Sequence, residues 1–226
     1  MRHPMTAAAR RIETTPAEAA IVTGICFGWA IWVSLASVFA GYRDGGGFSD
    51  GSMYAMVVIE LACAAIAMLV LYLRRYDVAS LVPEVTLRDT LLGLALMFVG
   101  NWLAWIVTEP FYAGHAEQPI ERIMQATMVS APAVLVMGFV NGTFEEVFLL
   151  GFLQRGLQAH GLSIALGVTL LVRVLYHLYQ GPLGALGVLV FGLAQGLWYA
   201  RSKRLWAPVF SHIMCDIVAF LAATHR

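Results

Sequence analysis

Two adjacent carboxylates, Glu145 and Glu146, lie inside a stretch that is otherwise apolar from about Ala131 to Leu153. A helix needs roughly 20 residues to cross the hydrocarbon of a bilayer, so this stretch is long enough to span it. A charged side chain in the hydrocarbon is costly unless it is paired, hydrated or neutralised. The two acids therefore predict partner groups on other helices and a functional reason for their position.

Two later apolar stretches carry polar side chains at helical spacing. Arg173 and His177 are four residues apart, and so are His212 and Asp216. Each pair therefore shares one face of its helix. The lengths of the three apolar stretches allow these side chains to meet the glutamates within one bundle.

Such a set of side chains can carry out general acid–base chemistry. A carboxylate can take a proton from water as the water attacks a carbonyl carbon, and so act as a general base. Imidazoles can hold that water and donate to the oxyanion that forms. An arginine can keep the second carboxylate ionised and oriented. The set is typical of a hydrolase, and hydrolysis of an amide bond is its natural use.

The composition predicts that membrane helices position these residues. Hydrophobic residues make up 60% of the 226 residues and charged residues 12%, about half of the charged share in soluble domains. We expect an all-α, polytopic membrane helical bundle of about seven transmembrane helices. A tail is predicted at 1–18, a single transmembrane domain at 19–226 and a catalytic core at about 128–223. The predicted spans are 19–40, 53–73, 90–107, 128–153, 162–179, 183–200 and 205–223.

The charge distribution predicts an orientation for these spans. Ten of the 14 lysines and arginines fall on one side of the seven spans and three on the other, with Arg173 inside the membrane. The positive-inside rule then places the N-terminus in the cytoplasm and the C-terminus outside, in an integral, multi-pass protein of the cell membrane. The first span exceeds the apolar part of a signal peptide, so we expect it to be retained. The net charge of zero argues against a nucleic-acid partner.

The depths of the polar residues constrain how they can meet. At 1.5 Å per residue, the glutamates lie ~14 Å from the cytoplasmic end of their helix, His177 ~21 Å and His212 ~9 Å. A shared site therefore needs helix tilt, a water-filled cytoplasmic cavity, or a break of the fourth helix at Asn141-Gly142. We favour the last two, because glycine loosens a helix and ionised groups need water.

Other polar residues have simpler interpretations. Glu60, Asn101 and Gln195 are expected to form hydrogen bonds between helices rather than to catalyse. The three cysteines stand singly within apolar stretches, so no disulfide or Cys-x-x-Cys metal site is predicted. No role is expected for the loop and terminal histidines, which are His3, His115, His160 and His225.

The polar sets resemble the motifs of the CPBP (CAAX protease and bacteriocin-processing, or Abi) family of intramembrane endopeptidases, related to the Ras-converting CAAX endopeptidase. That family shows Glu-Glu-x-x-x-Arg, Phe-x-x-x-His, and His-x-x-x-Asn or Asp on successive helices. The corresponding residues here are Glu145-Glu146 with Leu150, Arg173 with His177, and His212 with Asp216. The resemblance covers about residues 128–223.

The resemblance implies a role for each residue. Glu145 would activate water with Glu146 supporting it, His177 and His212 would bind the water and the oxyanion, and Asp216 would be secondary. An aspartate at that position either stays neutral or orients His212.

Two departures from the motifs leave alternatives open. Leu150 stands where the family has arginine, and Arg173 stands where the family has phenylalanine. We expect Arg173 to supply the missing cation to Glu146 across the helix interface. The alternative is that Leu150 marks an inactive site.

The sequence leaves alternatives open for the cofactor, the substrate and the class of function. His177, His212 and Glu145 could bind zinc with one open position, and a metal-free glutamate mechanism fits equally well. The expected partners are membrane lipid and a peptide or protein substrate in or at the membrane, either lipidated or otherwise membrane-associated. The rival interpretation is a catalytically inactive scaffold or a proton-coupled transporter, because buried acids also form proton relays.

Overall fold

Seven of the helices in the described residues are long and apolar enough to cross a membrane. The structure is a computed structural model that describes residues 11–43, 46–112 and 117–224. Its α-helices are α1 (Pro16–Phe39), α2 (Asp50–Leu73), α3 (Leu87–Tyr112), α4 (Pro119–Gln125), α5 (Ala131–Glu146), α6 (Arg155–Leu157), α7 (Leu162–His177), α8 (Pro182–Ser202) and α9 (Trp206–Thr224). The predicted all-α membrane bundle is confirmed, and the chain is an integral multi-pass membrane protein.

Local sequence signals begin several of these helices. Thr15 caps α1 in a reciprocal pair with Glu18, and Ser130 caps α5 by accepting from the amide of Ala133. Gly181 precedes α8 with φ of 87°, a backbone conformation that glycine adopts without steric cost. Of the histidines without an expected role, His3, His115 and His225 lie outside the described residues, as does most of the predicted tail.

The fourth span does not end at Glu146. It continues from α5 through a π-helical segment, Val147–Gln154, then through α6 and a 3-10 turn, Gln158–His160. In a π-helix each N–H bonds to a carbonyl five residues back, so its turns are wider than those of an α-helix. This π segment starts directly after the two glutamates, and all eight of its residues are buried.

The break predicted at Asn141-Gly142 is wrong. α5 runs as regular α-helix through both residues, and the irregularity lies further along, in the π segment. Gly142 has a different use, because a Cβ on this residue would lie 2.6 Å from the backbone nitrogen of Ile213. The absent side chain lets α9 approach α5 closely instead of bending the helix.

The fourth span is the centre of the bundle. Within its apolar window 67% of the residues are buried, against 17% for α3, which is mostly exposed to the surroundings. α5 packs between α9 and α2, α3 packs on α8 and α9, and α7 packs on α1 and α8. The two glutamates therefore stand on the helix that the others enclose.

Hydrogen bonds tie several connections together at one end of the bundle. The Arg11 carbonyl accepts from the amide of Asp77, and Arg155 donates to the Tyr76 hydroxyl. Arg204 pairs with the buried Asp89 at 2.7 Å. We call this the basic end, because its described residues include Arg11, Arg74, Arg75, Arg88, Arg155, Arg201, Lys203 and Arg204.

The remaining connections meet at the opposite end. The carboxylate of Asp50 accepts from the amide of Ser130 at 2.7 Å, and the amide of Met128 donates to the Phe48 carbonyl. The amide of Leu183 donates to the side chain of Gln118 at 3.2 Å. The chain thus crosses between the two ends seven times, as the positions of the apolar stretches predict.

Candidate active site

Glu146 lies at the centre of the polar cluster and has no exposed surface. Its Oε1 atom is 2.7 Å from Arg173 Nη2 and 2.7 Å from His212 Nδ1. Charged donors of this kind form hydrogen bonds about twice as strong as neutral ones. The predicted pairing of Arg173 with Glu146 across helices is present in the structure, and Arg173 itself is 1% exposed.

Glu145 is held through both of its carboxylate oxygens. The Tyr176 hydroxyl donates to Oε2, and Asn141 Nδ2 donates to Oε1 at 3.2 Å. Arg173 Nη1 lies 3.8 Å from Oε2, so one guanidinium stands within ion-pair distance of both glutamates. A carboxylate offers about four acceptor positions, so Glu145 keeps capacity for a further donor such as water.

His212 connects the two glutamates. Its Nδ1 faces Glu146, which accepts a hydrogen bond, so the hydrogen of the ring stands on Nδ1 in the neutral form. The other nitrogen, Nε2, then faces Glu145 Oε2 at 3.9 Å and Asp216 Oδ1 at 3.7 Å. Both distances exceed a direct hydrogen bond. Glu146, rather than Asp216, is therefore the carboxylate that orients His212.

His177 is the predicted site residue that the described contacts do not join to a carboxylate. Its Nδ1 lies 2.9 Å from the Arg173 carbonyl, one turn earlier on α7. This bond places the ring hydrogen on Nδ1 and leaves Nε2 as an acceptor. The ring packs against Tyr176, whose hydroxyl bonds to Glu145, with centroids 4.4 Å apart. His177 is thus a neighbour of the cluster rather than a member of it.

The absence of a side chain at Gly192 of α8 makes room for Arg173. A Cβ on Gly192 of α8 would lie 2.6 Å from Arg173 Cδ and 3.0 Å from its Nε. The guanidinium therefore reaches the glutamates through a notch in α8. Close by, Gln195 donates to the hydroxyl of Ser211 at 2.9 Å, which fixes α8 to α9 beside His212.

Sequence reasoning missed one residue of the cluster and the partner of another. No role was expected for Tyr176, whose hydroxyl bonds to Glu145. Glu60 on α2 was expected to bond between helices, and it does so with Asn141 at 2.7 Å. That amide also bonds to Glu145, so Glu60 is linked to the site. Because Glu60 is a lone acid in an apolar stretch, the sequence indicated a bond to another helix. It did not indicate that Asn141 is the partner.

The donor geometry does not fit the zinc set considered above. His212 Nδ1 is taken by Glu146, its Nε2 is 3.9 Å from Glu145, and Glu145 accepts from a tyrosine hydroxyl. Within the described ranges, no three His, Cys, Asp or Glu side chains gather as a metal site.

A family profile identifies the part of the chain that carries this geometry. The family described as Type II CAAX prenyl endopeptidase Rce1-like matches residues 127–218. The resemblance to CAAX proteases is confirmed. This Rce1-like segment contains all six predicted site residues, and the match indicates a protease. No curated protein and no solved structure matches the chain.

Proposed function

We propose that the chain is an intramembrane endopeptidase in which Glu145 is the general base. The observation that carries the proposal is the arrangement around Glu145: two donors hold its oxygens, and His212 Nε2 faces it at 3.9 Å. A water molecule beside the line between these two atoms can hydrogen-bond to both. Glu145 then takes a proton from this water as the water attacks the carbonyl carbon of a peptide bond, and gives the proton to the amide nitrogen as the C–N bond breaks.

The other residues support this step. Glu146 holds His212 in one tautomer and, with Arg173, forms the fixed charge pair beneath Glu145. His212 Nε2 accepts a hydrogen bond from the water, and when this nitrogen is protonated it can donate to the oxyanion. His177 stands one residue from Tyr176 with Nε2 unbonded among the described residues. When the ring is protonated, this nitrogen can donate to the carbonyl oxygen of the substrate. Asp216 is secondary, because 3.7 Å separates it from His212.

The substrate class follows from the surroundings and from the family. The site lies within membrane-spanning helices, so the cleaved bond belongs to a lipidated or otherwise membrane-associated protein or peptide. A prenylated peptide is the first candidate, because the family description names a prenyl endopeptidase. The proposed catalytic core is 128–223, and the basic end of the bundle faces the cytoplasm.

The general-base role is tested with purified protein in liposomes. A library of membrane-bound peptides, with and without a prenyl group on cysteine, serves as substrate. Glu145→Gln keeps the shape of the side chain and removes the base, so cleavage should fall at least ~10²-fold. Mass spectrometry of the products gives the rate and the cleaved bond.

The matched control is Glu18→Gln, the same change at a buried glutamate of α1 that bonds to Arg11 far from the site. This variant should cleave at the wild-type rate. Undiminished proteolysis by Glu145→Gln would exclude Glu145 as the base.

A further inference from the structure

Glu60 is a buried acid outside the Rce1-like segment. It lies on α2, in the middle of a membrane-spanning helix, and is 3% exposed. Its Oε1 accepts from Asn141 Nδ2 at 2.7 Å, while its Oε2 has no hydrogen-bond partner among the described residues. No cation lies within ion-pair distance of Glu60 in that part of the chain. A leucine at this position would cost much less free energy in the membrane interior, so the presence of an acid indicates a function.

Asn141 links Glu60 to the active site through two hydrogen bonds. The same nitrogen that bonds to Glu60 donates to Glu145 Oε1 at 3.2 Å. An amide nitrogen has two hydrogens, and here each of them meets one carboxylate. The oxygens of Glu60 and Glu145 that face Asn141 both accept hydrogen bonds, so the amide turns its nitrogen towards both acids and its oxygen away. Without Glu60, the side-chain amide of Asn141 can rotate, and its hydrogen bond to Glu145 can be lost.

A purely structural role would not require an acid at this place. α2 and α5 are already joined by an apolar cluster in which Met53 and Val57 of α2 pack against α5. The α5 residues of that cluster are Ala133, Val134 and Met137. Attachment of α2 to α5 is therefore provided by side chains that suit a membrane interior. The acid adds one thing that the apolar cluster does not, which is a fixed acceptor for Asn141.

We propose that Glu60 is a positioning residue for Glu145, acting through Asn141, so that α2 completes an active site whose other residues lie in the Rce1-like segment. This inference rests on the proposed function of Glu145 as general base. It predicts that the acceptor oxygen of Glu60, and not its charge, is what the reaction needs. Its loss should lower kcat and leave KM unchanged, because the substrate does not touch Glu60.

The test uses the full chain in liposomes and the membrane peptide that the wild-type protein cleaves fastest. Glu60→Leu should lower kcat about tenfold, the effect of one lost hydrogen bond of ordinary strength. Glu60→Gln keeps an acceptor oxygen and should stay within about threefold of the wild type. Ala62→Leu is the control, since it adds the same side chain to an exposed position of the same helix and should change nothing.

A double-mutant cycle tests the route through Asn141. Asn141→Ala alone should lower kcat at least as much as Glu60→Leu, and the double variant should be no slower than Asn141→Ala. Thermal unfolding in detergent accompanies each variant; leucine suits the membrane interior, so Glu60→Leu should remain folded.

Three results would overturn the inference about Glu60. They are a wild-type kcat for Glu60→Leu, an effect confined to KM or to thermal stability, and additive losses in the double variant. The Glu145→Gln variant distinguishes a failure of the inference about Glu60 from a failure of the proposed function. If that variant is inactive while Glu60→Leu is fully active, only the role of Glu60 fails; if Glu145→Gln stays active, the proposed function fails.

Discussion

Arg173 is the cation on which the buried carboxylates depend. Its guanidinium lies 2.7 Å from Glu146 and 3.8 Å from Glu145, and it is 1% exposed. The family motif would instead place an arginine at the position of Leu150, on the same helix as the glutamates. Here the charge is supplied from α7, so the carboxylates and their cation stand on different helices. The ion pair therefore joins α7 to the central span as well as balancing the charge of Glu146.

The first prediction concerns removal of this cation. Arg173→Leu leaves Glu146 as a buried and uncompensated acid, which costs about 3–5 kcal/mol or forces the carboxylate to take up a proton. We expect a lower unfolding temperature in detergent and a large loss of peptide cleavage. Adding Leu150→Arg to this variant returns an arginine to the family's own position, and should recover part of both losses.

The control for this experiment is Arg155→Leu. Arg155 also lies in the fourth span, but it bonds to Ser80 and Tyr76 at the basic end. Its loss should affect stability without a specific loss of kcat. Wild-type behaviour of Arg173→Leu, together with no rescue by Leu150→Arg, would show that the exchanged arginine is not needed.

At the scale of the helices, two glycines set how closely the elements around the site approach. Gly142 admits the backbone of α9 at Ile213, and Gly192 admits the Arg173 side chain into α8. Interiors are close-packed, so an added methyl group at either place has to displace an atom that the site needs. The glycines thus act through spacing and not through flexibility.

The second prediction tests the notch in α8. Gly192→Ala places a Cβ 2.6 Å from Arg173 Cδ, so the arginine must shift away from the glutamates. Overpacking of this kind costs about 1–3 kcal/mol, and we expect kcat to fall about tenfold or more. Gly167→Ala on α7 is the matched control, because its new Cβ meets nothing within 4 Å. That variant should be as active as the wild type. Equal activity of the two variants would contradict a role for the notch.

Much of this architecture could be predicted from the sequence, and the exceptions have physical reasons. Long apolar stretches identify the seven spans. The family motif, together with the cost of a lone arginine in hydrocarbon, indicated Glu146 as the partner of Arg173. The prediction at Gly142 failed because a glycine serves bending and close approach equally well. The link from Glu60 to Glu145 depends on which way Asn141 points, and that is decided by packing across helices.

At the scale of the whole molecule, the charges divide the bundle into two unlike ends. The basic end joins the connections after α2, after the fourth span and after α8 through bonds such as Arg155 to Tyr76 and Arg204 to Asp89. The opposite end is described for residues 41–43, 46–49, 117–130 and 178–182, and its arginines there are Arg43 and Arg122. Under the positive-inside rule this asymmetry predicts one orientation of the molecule, with the basic end in the cytoplasm.

The third prediction is this orientation. A reporter inserted in the turn Arg201–Arg204 should be found in the cytoplasm, and one fused after Arg226 should be found on the other side. The measurement is enzyme activity of paired reporters, each active in one compartment. Replacing the arginines and lysine of the Arg201–Arg204 turn with glutamine is the control, and should weaken the preference. Both reporters on the same side of the membrane would contradict seven crossings.

The π segment has a consequence for how this chain is compared with related sequences. A π-helical turn accommodates one residue more than the α-helical turn it replaces. A relative that keeps regular α-helix after its two glutamates would reach the basic end with one residue fewer in this stretch. Aligned without a gap, residues beyond the π segment would be displaced by about 100° around the helix axis. Gln154, whose amide meets the Gly196 carbonyl at 2.8 Å, would then be matched to a residue on another face. Motif positions on either side of Val147–Gln154 therefore have to be counted separately.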